Sequence, residues 1–265
     1  MTETPELLRL AQRLTRPVLD ATTVVRRERR RSVDERESFE TFGRRVRRLT
    51  PDASDPSLEP LSGRLLPGVS GVRSGPTLAA VRTSYTETVM AVPHYREEYD
   101  DTLEESLTVE FGREVAEAVV AGDTLSTELQ DALLTAAALA RTERDQFVER
   151  IDAEDASLAA VVDGVRRLVV DLGTLDDTPL PDRSFDELRA LDREVASLER
   201  QCDRLVTDRQ ASIRSAAPAS TDPSLQAYLY QHESTRYPVL TCLADLGEVL
   251  TQARRRVQRQ LTVTA

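Results

Sequence analysis

The sequence predicts an all-α protein: an elongated antiparallel coiled-coil bundle of three long helices, with a cap of short helices and an additional long helix at the N-terminus. Three observations predict it. Aromatic residues make up only 4% of the chain and Trp is absent, whereas sandwiches and barrels need aromatic and β-branched alternation. Charged residues reach 31% and the aliphatics are nearly all Leu, Val and Ala, the balance of helical, coiled-coil-rich chains. Apolar residues recur at alternating spacings of three and four over long stretches, the seam of one helix against another. At 265 residues and 40% hydrophobic, the chain is long enough for one large or two small domains with a buried core.

Residues 1–49 read as an N-terminal amphipathic helix. Its seam is Leu14, Val18, Ala21, Val25, Phe39, Phe42, Val46 and Leu49. The same register puts Glu28, Ser32 and Glu35 on the seam midway, so that stretch is expected to bury poorly. Pro17 is expected to mark the helix start or a kink, because its ring blocks an interior hydrogen bond. Residues 50–75, "TPDASDPSLEPLSGRLLPGVSGVRSG", form a Pro/Gly/Ser-rich linker.

Residues 76–124 read as a cap of short helices. Ser74 caps a helix from Pro76 to about Val92, where Pro93 stops it. Shorter helices follow at about 94–100, 102–110 and 113–121, punctuated by Gly112 and Gly122.

Residues 125–265 read as the three-helix bundle. The first helix starts near Ser126, carries a heptad seam from Leu133 to Leu175, and would span roughly 75 Å. "DDTPLPDR" ends it, and Ser184 with Glu187 makes a capping box for the next helix. That helix has its seam at Leu188, Leu191, Val195, Leu198, Cys202 and Leu205. "APASTDP" is the second turn. Asp222 and Pro223 then open the last helix, whose seam runs from Leu225 to Val257 with a break or kink at Pro238. Short turns between long helices imply up-down-up packing.

The net charge is −11, and every basic residue is Arg: the chain has neither Lys nor Asn. No apolar run approaches the roughly 20 residues that cross a bilayer. The start, "MTETPELLRL", lacks the basic-then-apolar pattern of a signal peptide. The expected location is the cytoplasm, with no membrane partner. Cys202 and Cys242 match no metal spacing and read as small core residues.

Motifs for catalysis are missing: there is no glycine-rich phosphate loop, no G-x-S-x-G and no H-E-x-x-H. The Glu-x-x-His signature of di-metal bundles fails at both histidines, because Ala91 precedes His94 by three and Leu229 precedes His232 by three. No cofactor is expected.

Around His94, two readings compete. His94 with Glu97, Glu98, Asp100 and Asp101 has the donors of a hard-metal or acid–base cluster. The plainer reading, which we prefer, is a helix corner formed by Pro93, His94, Tyr95 and Tyr99. There the two tyrosines bury an edge, and the carboxylates face outward at the positive end of a helix.

Arg26, Arg27, Arg29, Arg30 and Arg31 form a basic patch, echoed at 43–49 and 253–259. Such a patch is either a nucleic-acid arm or a solvated helix face with acidic neighbours, and we prefer the second. Arg144 and Glu154 are charged residues on the apolar seam of the long helix. A lone buried charge costs several kcal/mol. Levelling the helices from their turns therefore predicts a polar layer in which Glu154 meets Arg236, Arg209 or His232 and fixes helix register.

The blocks "YTETVMAVPHYREEYD" and "YLYQHESTRYPVLTCLADLGEVL" resemble a family of uncharacterised haloarchaeal helical proteins, over most of the length from about residue 76. The resemblance implies a domain of unknown function and no particular site residue. A haloarchaeal cytoplasm would imply molar salt, in which charges act over only about 3 Å. The functional expectation is a non-enzymatic interaction or scaffold protein, self-associating or bound to a protein partner. The alternatives are a nucleic-acid-associated regulator using the Arg-rich first helix, and a metal protein or enzyme centred on His94.

Overall fold

The computed structural model describes residues 5–52, 78–175, 178–215 and 224–264. It is all-α, with no β-strand among the described residues. Among the described residues nine α-helices follow in order: α1 (Pro5–Arg47), α2 (Leu78–Thr86), α3 (Tyr95–Glu98), α4 (Leu103–Phe111), α5 (Arg113–Ala121), α6 (Thr127–Thr174), α7 (Phe185–Ser215), α8 (Leu225–Leu229) and α9 (Pro238–Thr264). Two 3-10 turns, Val89–Ala91 and Leu180–Asp182, lie between them. Most of the expected linker at 50–75 lies outside the described residues. So do Ser74, Pro76, the turn at 216–222, and Asp222 with Pro223. None of the described helices is long and apolar enough to cross a membrane.

Two expectations about helix continuity are corrected and a third is sharpened. Pro17 does not start α1, which runs through it. The helix expected to reach Val92 ends at Thr86 and gives way to the 3-10 turn at Val89–Ala91. The last helix breaks at Pro238 as expected, and the break is a long one: α8 stops at Leu229, and Pro238 is the first residue of α9. Pro238 acts as a helix initiator, the position where its missing N–H costs nothing.

The chain divides into two compact units: Met1–Arg29 with Glu149–Ala265, and Arg30–Val148. Both draw on more than one of the segments marked off in the sequence.

The first unit is a bundle whose neighbours run antiparallel. Arg254 of α9 meets Asp192 and Glu199 of α7 at 3.0 and 2.8 Å, while farther along α7 the Cys202 thiol reaches the Leu243 carbonyl. On α6, Gly164 lies so close to α7 that a Cβ there would stand 3.0 Å from Leu205. Leu14, Val18, Ala21 and Val25 of α1 are buried, as are Leu158, Val165 and Leu168 of α6. Ser184 and Glu187 form a reciprocal capping box at the start of α7.

The second unit packs short helices α2, α4 and α5 with the later part of α1 and the first part of α6. Phe39, Phe42 and Val46 join Leu78, Val81, Tyr85, Leu107, Phe111, Leu133 and Ala137 in one core. The scarce aromatics concentrate here: Phe42, Tyr85 and Phe111 hold ring centroids 5.3–5.6 Å apart, a geometry that adds to simple area burial. Gly112 ends α4 and opens α5 with φ +84°, a conformation side chains resist. Thr102 and Glu105 cap α4 reciprocally. Arg82 caps the other end of α5, donating to the carbonyls of Val119, Val120 and Gly122.

Candidate functional site

Each unit encloses one cluster of polar side chains, and the two clusters differ in burial and charge. In the first unit, Glu154 of α6 faces Arg209 of α7. Arg209 Nη2 donates to Glu154 Oε1 at 2.7 Å and Nη1 to Oε2 at 2.9 Å, a bidentate pair. Tyr230 Oη donates to Oε1 at 2.6 Å and Gln226 Nε2 to Oε2 at 3.3 Å. Ser157 Oγ accepts a second bond from Arg209 Nη1. The side chains of Arg209 and Glu154 are 2% and 3% exposed, so the pair is dry.

Burial opposes ionisation of Glu154. Even so, the hydrogen bonds and attraction of Arg209, with help from Tyr230 and Gln226, hold its carboxyl below the usual range. Burial, and the negative charge of Glu154, push the Tyr230 hydroxyl up. Arg209 Nε and Gln226 Oε1 are buried and have no partner among the described residues.

Of the residues expected in this layer, Glu154 and Arg209 meet, but His232 and Arg236 do not take part. Both are exposed, because the chain leaves helical geometry between Leu229 and Pro238. Gln226 and Tyr230, which heptad reasoning did not pick out, fill the places instead. They come from α8 and its C-cap, which no longer follow the register of α9.

In the second unit, Glu35 of α1 is the hub. His94 Nε2 lies 3.0 Å from its Oε1, Tyr99 Oη donates to Oε1 at 2.8 Å, and Arg144 Nε of α6 donates to Oε2 at 3.3 Å. Arg144 Nη2 also donates to Glu110 Oε1 of α4 at 2.5 Å, and its guanidinium stands 4.9 Å from the Phe39 ring centre. Burial raises the Glu110 carboxyl above its usual range, and Arg144 only partly offsets it.

The expected helix corner is therefore partly corrected. His94 and Tyr95 are 7% exposed, as a packed corner requires, but Tyr99 is 47% exposed. Its ring sits on the rim and only its hydroxyl reaches inward to Glu35. The expectation that Glu28, Ser32 and Glu35 would bury poorly is also corrected: Ser32 is buried, the other two are half-buried, and Glu28 accepts from Tyr228 at 2.5 Å.

Pro93, Glu97, Glu98 and Asp100 are exposed and Asp101 is half-buried. Among the described residues, no three His, Cys, Asp or Glu side chains gather as a metal would need.

The basic patch is largely spoken for. Arg26 pairs with Asp155 at 3.4 Å, Arg29 with Asp152, and Arg31 with Glu98. Arg27 and Arg30 are exposed and form no ion pair among the described residues. Cys202 and Cys242 are buried, and burial pushes their thiols up to about 11 and about 12. They are protonated, unreactive core groups.

No curated protein and no solved structure shows significant similarity to this chain. A family model described as a domain of unknown function, DUF7260, matches residues 16–254, nearly the whole sequence. The chain belongs to that family.

Proposed function

We propose that the protein is a non-enzymatic helical interaction or scaffold protein of the cytoplasm, self-associating or bound to a protein partner. The observation that supports this reading is the way its buried charges are used. Glu154 has both oxygens occupied by Arg209, Tyr230 and Gln226, and Glu35 is shared by His94, Tyr99 and Arg144. These groups join helix to helix. Buried polar groups of this kind set register and partner choice in helical assemblies.

The nucleic-acid reading is weaker, because three of the five arginines of the patch already face carboxylates of the chain. Light scattering on the purified full chain tests the proposal. The expected result is a mass of at least two chains, held at high salt. A monomer at every concentration overturns self-association. Duplex DNA binding with a steep salt slope, lost in Arg27→Gln with Arg30→Gln, would replace the scaffold reading with the nucleic-acid one.

A further inference from the structure

The second unit contains a small cleft of about 40 Å³, walled by α1, α3, α4 and α6 and the turns at Val89–Ala91 and Tyr99–Thr102. Its polar lining is unbalanced. Glu35, Asp101 and Glu110 contribute three carboxylates, against the single guanidinium of Arg144. Arg144 engages Glu110 through Oε1.

An independent observation comes from Tyr95. Its side chain lines the same cleft and is 7% exposed, yet its hydroxyl has no hydrogen-bond partner among the described residues. Ser106 stands beside it but outside hydrogen-bond geometry, and its Oγ is 2.9 Å from the Tyr85 hydroxyl. The Tyr95 hydroxyl is raised by burial, which nearby Ser106 partly offsets, and the charges of Asp101 and Glu110 add to the rise. A buried hydroxyl left without a partner is destabilising. An oxygen left unpartnered in a negative cleft is what a hard cation coordinates.

We propose that this cleft binds one small monovalent cation, coordinated by the Tyr95 hydroxyl and the carboxylates of Glu110 and Asp101. The volume admits a small ion with a few waters, since one water needs only about 10–15 Å³ of such space. A divalent ion fits less well. Calcium and magnesium sites collect several carboxylates at close range, and no such three-residue group exists among the described residues. The single guanidinium already cancels one of the three negative charges. The proposal does not depend on the scaffold reading: a monomer with this site would keep it, and an oligomer without it would lose it.

Thermal unfolding of the full chain tests it, in sodium, potassium and tetramethylammonium chlorides at one ionic strength. Tetramethylammonium screens charge equally, but its methyl shell keeps hydroxyl and carboxylate oxygens from coordinating it. Sodium or potassium should raise the midpoint saturably, by about 3 °C at ten times the dissociation constant. The rise should grow with pH, because Glu110 must give up its proton to bind the ion. Tyr95→Phe should abolish the ion difference, and Glu110→Gln is the second variant should the first fail to fold. Equal midpoints in all three salts would mean a cleft that holds water only, and would overturn the proposal. An ion difference that survives in the folded variants would place the ion elsewhere, and would overturn it equally.

Discussion

The Glu154 cluster and the Glu35 cluster are built from the same parts, a carboxylate, an arginine and tyrosine hydroxyls, but they solve different problems. The first has one negative and one positive charge, both almost wholly excluded from water. The second has two carboxylates on one arginine, and those three side chains are 16–19% exposed. A balanced pair can be dry because each charge replaces the other's water. An unbalanced one keeps solvent or another ion within reach, because repulsion between Glu35 and Glu110 has to be screened. Burial here follows charge balance, and the two clusters should answer mutation and pH in different ways.

The largest expected effect is at the dry pair. Arg209→Met leaves Glu154 charged and buried, and should cost about 3–5 kcal/mol in urea unfolding. Replacing both partners, Arg209→Met with Glu154→Leu, should recover most of that loss, since apolar pairs of similar volume often equal a buried ion pair. Arg144→Met in the other cluster should cost less, about 1–3 kcal/mol, because water can reach Glu35 and Glu110. Equal losses from Arg209→Met and Arg144→Met would break the comparison.

Tyr230→Phe comes next. Its hydroxyl is fully buried and donates to a carboxylate at 2.6 Å. A hydrogen bond to a charged group contributes about 1.5–3 kcal/mol, and that is the loss expected in urea unfolding.

Proton linkage separates the clusters by sign. The folded carboxyl of Glu154 is held below its ordinary value, so its contribution is present above about pH 4.5, the unfolded value, and is lost as pH falls through the folded value. The folded carboxyl of Glu110 is held above its ordinary value, so the protonated form fits the fold better. Its contribution is full below about pH 4.5 and is lost as pH rises through the folded value. Unfolding midpoints of the wild-type chain and of Glu110→Gln should therefore diverge as pH rises from about 4.5, with the wild type falling behind. Parallel curves would mean that Glu110 is ordinary. A tenfold difference in proton affinity between the folded and unfolded chain corresponds to about 1.4 kcal/mol of stability.

Part of this was legible in the sequence. The long helices were, because about thirty residues of three-four spacing leave little choice of structure, and α6 and α7 begin within a residue of where their caps place them. Glu154 was legible as a carboxylate on an apolar seam, and levelling the helices brought Arg209 to its height.

What escaped had no period to follow. Pro238 marked the break in the last helix, but apolar spacing carries on in step from Leu229 to Val239, so the length of the break left no mark and the pattern assigned His232 and Arg236 to a seam they do not occupy. Glu35 and Arg144 were each visible as misplaced charges. They lie 109 residues apart, and only the fold shows that each resolves the other.

The smallest expected effect is the sharpest test of the contrast, because it repeats one chemical change in the other cluster. Tyr99 donates to Glu35 at 2.8 Å, nearly the distance of the Tyr230 bond, so distance alone predicts equal losses for the two Tyr→Phe variants. Exposure predicts otherwise. With Tyr99 47% open to solvent, water can replace its hydroxyl at Glu35, and the carboxylate also keeps its contacts with His94 and Arg144. Tyr99→Phe should therefore cost under about 1 kcal/mol, a shift of no more than about 2–4 °C in the unfolding midpoint. If it costs as much as Tyr230→Phe, the Glu35 cluster is as dry as the Glu154 cluster. Its excess negative charge would then have to be neutralised by something other than solvent.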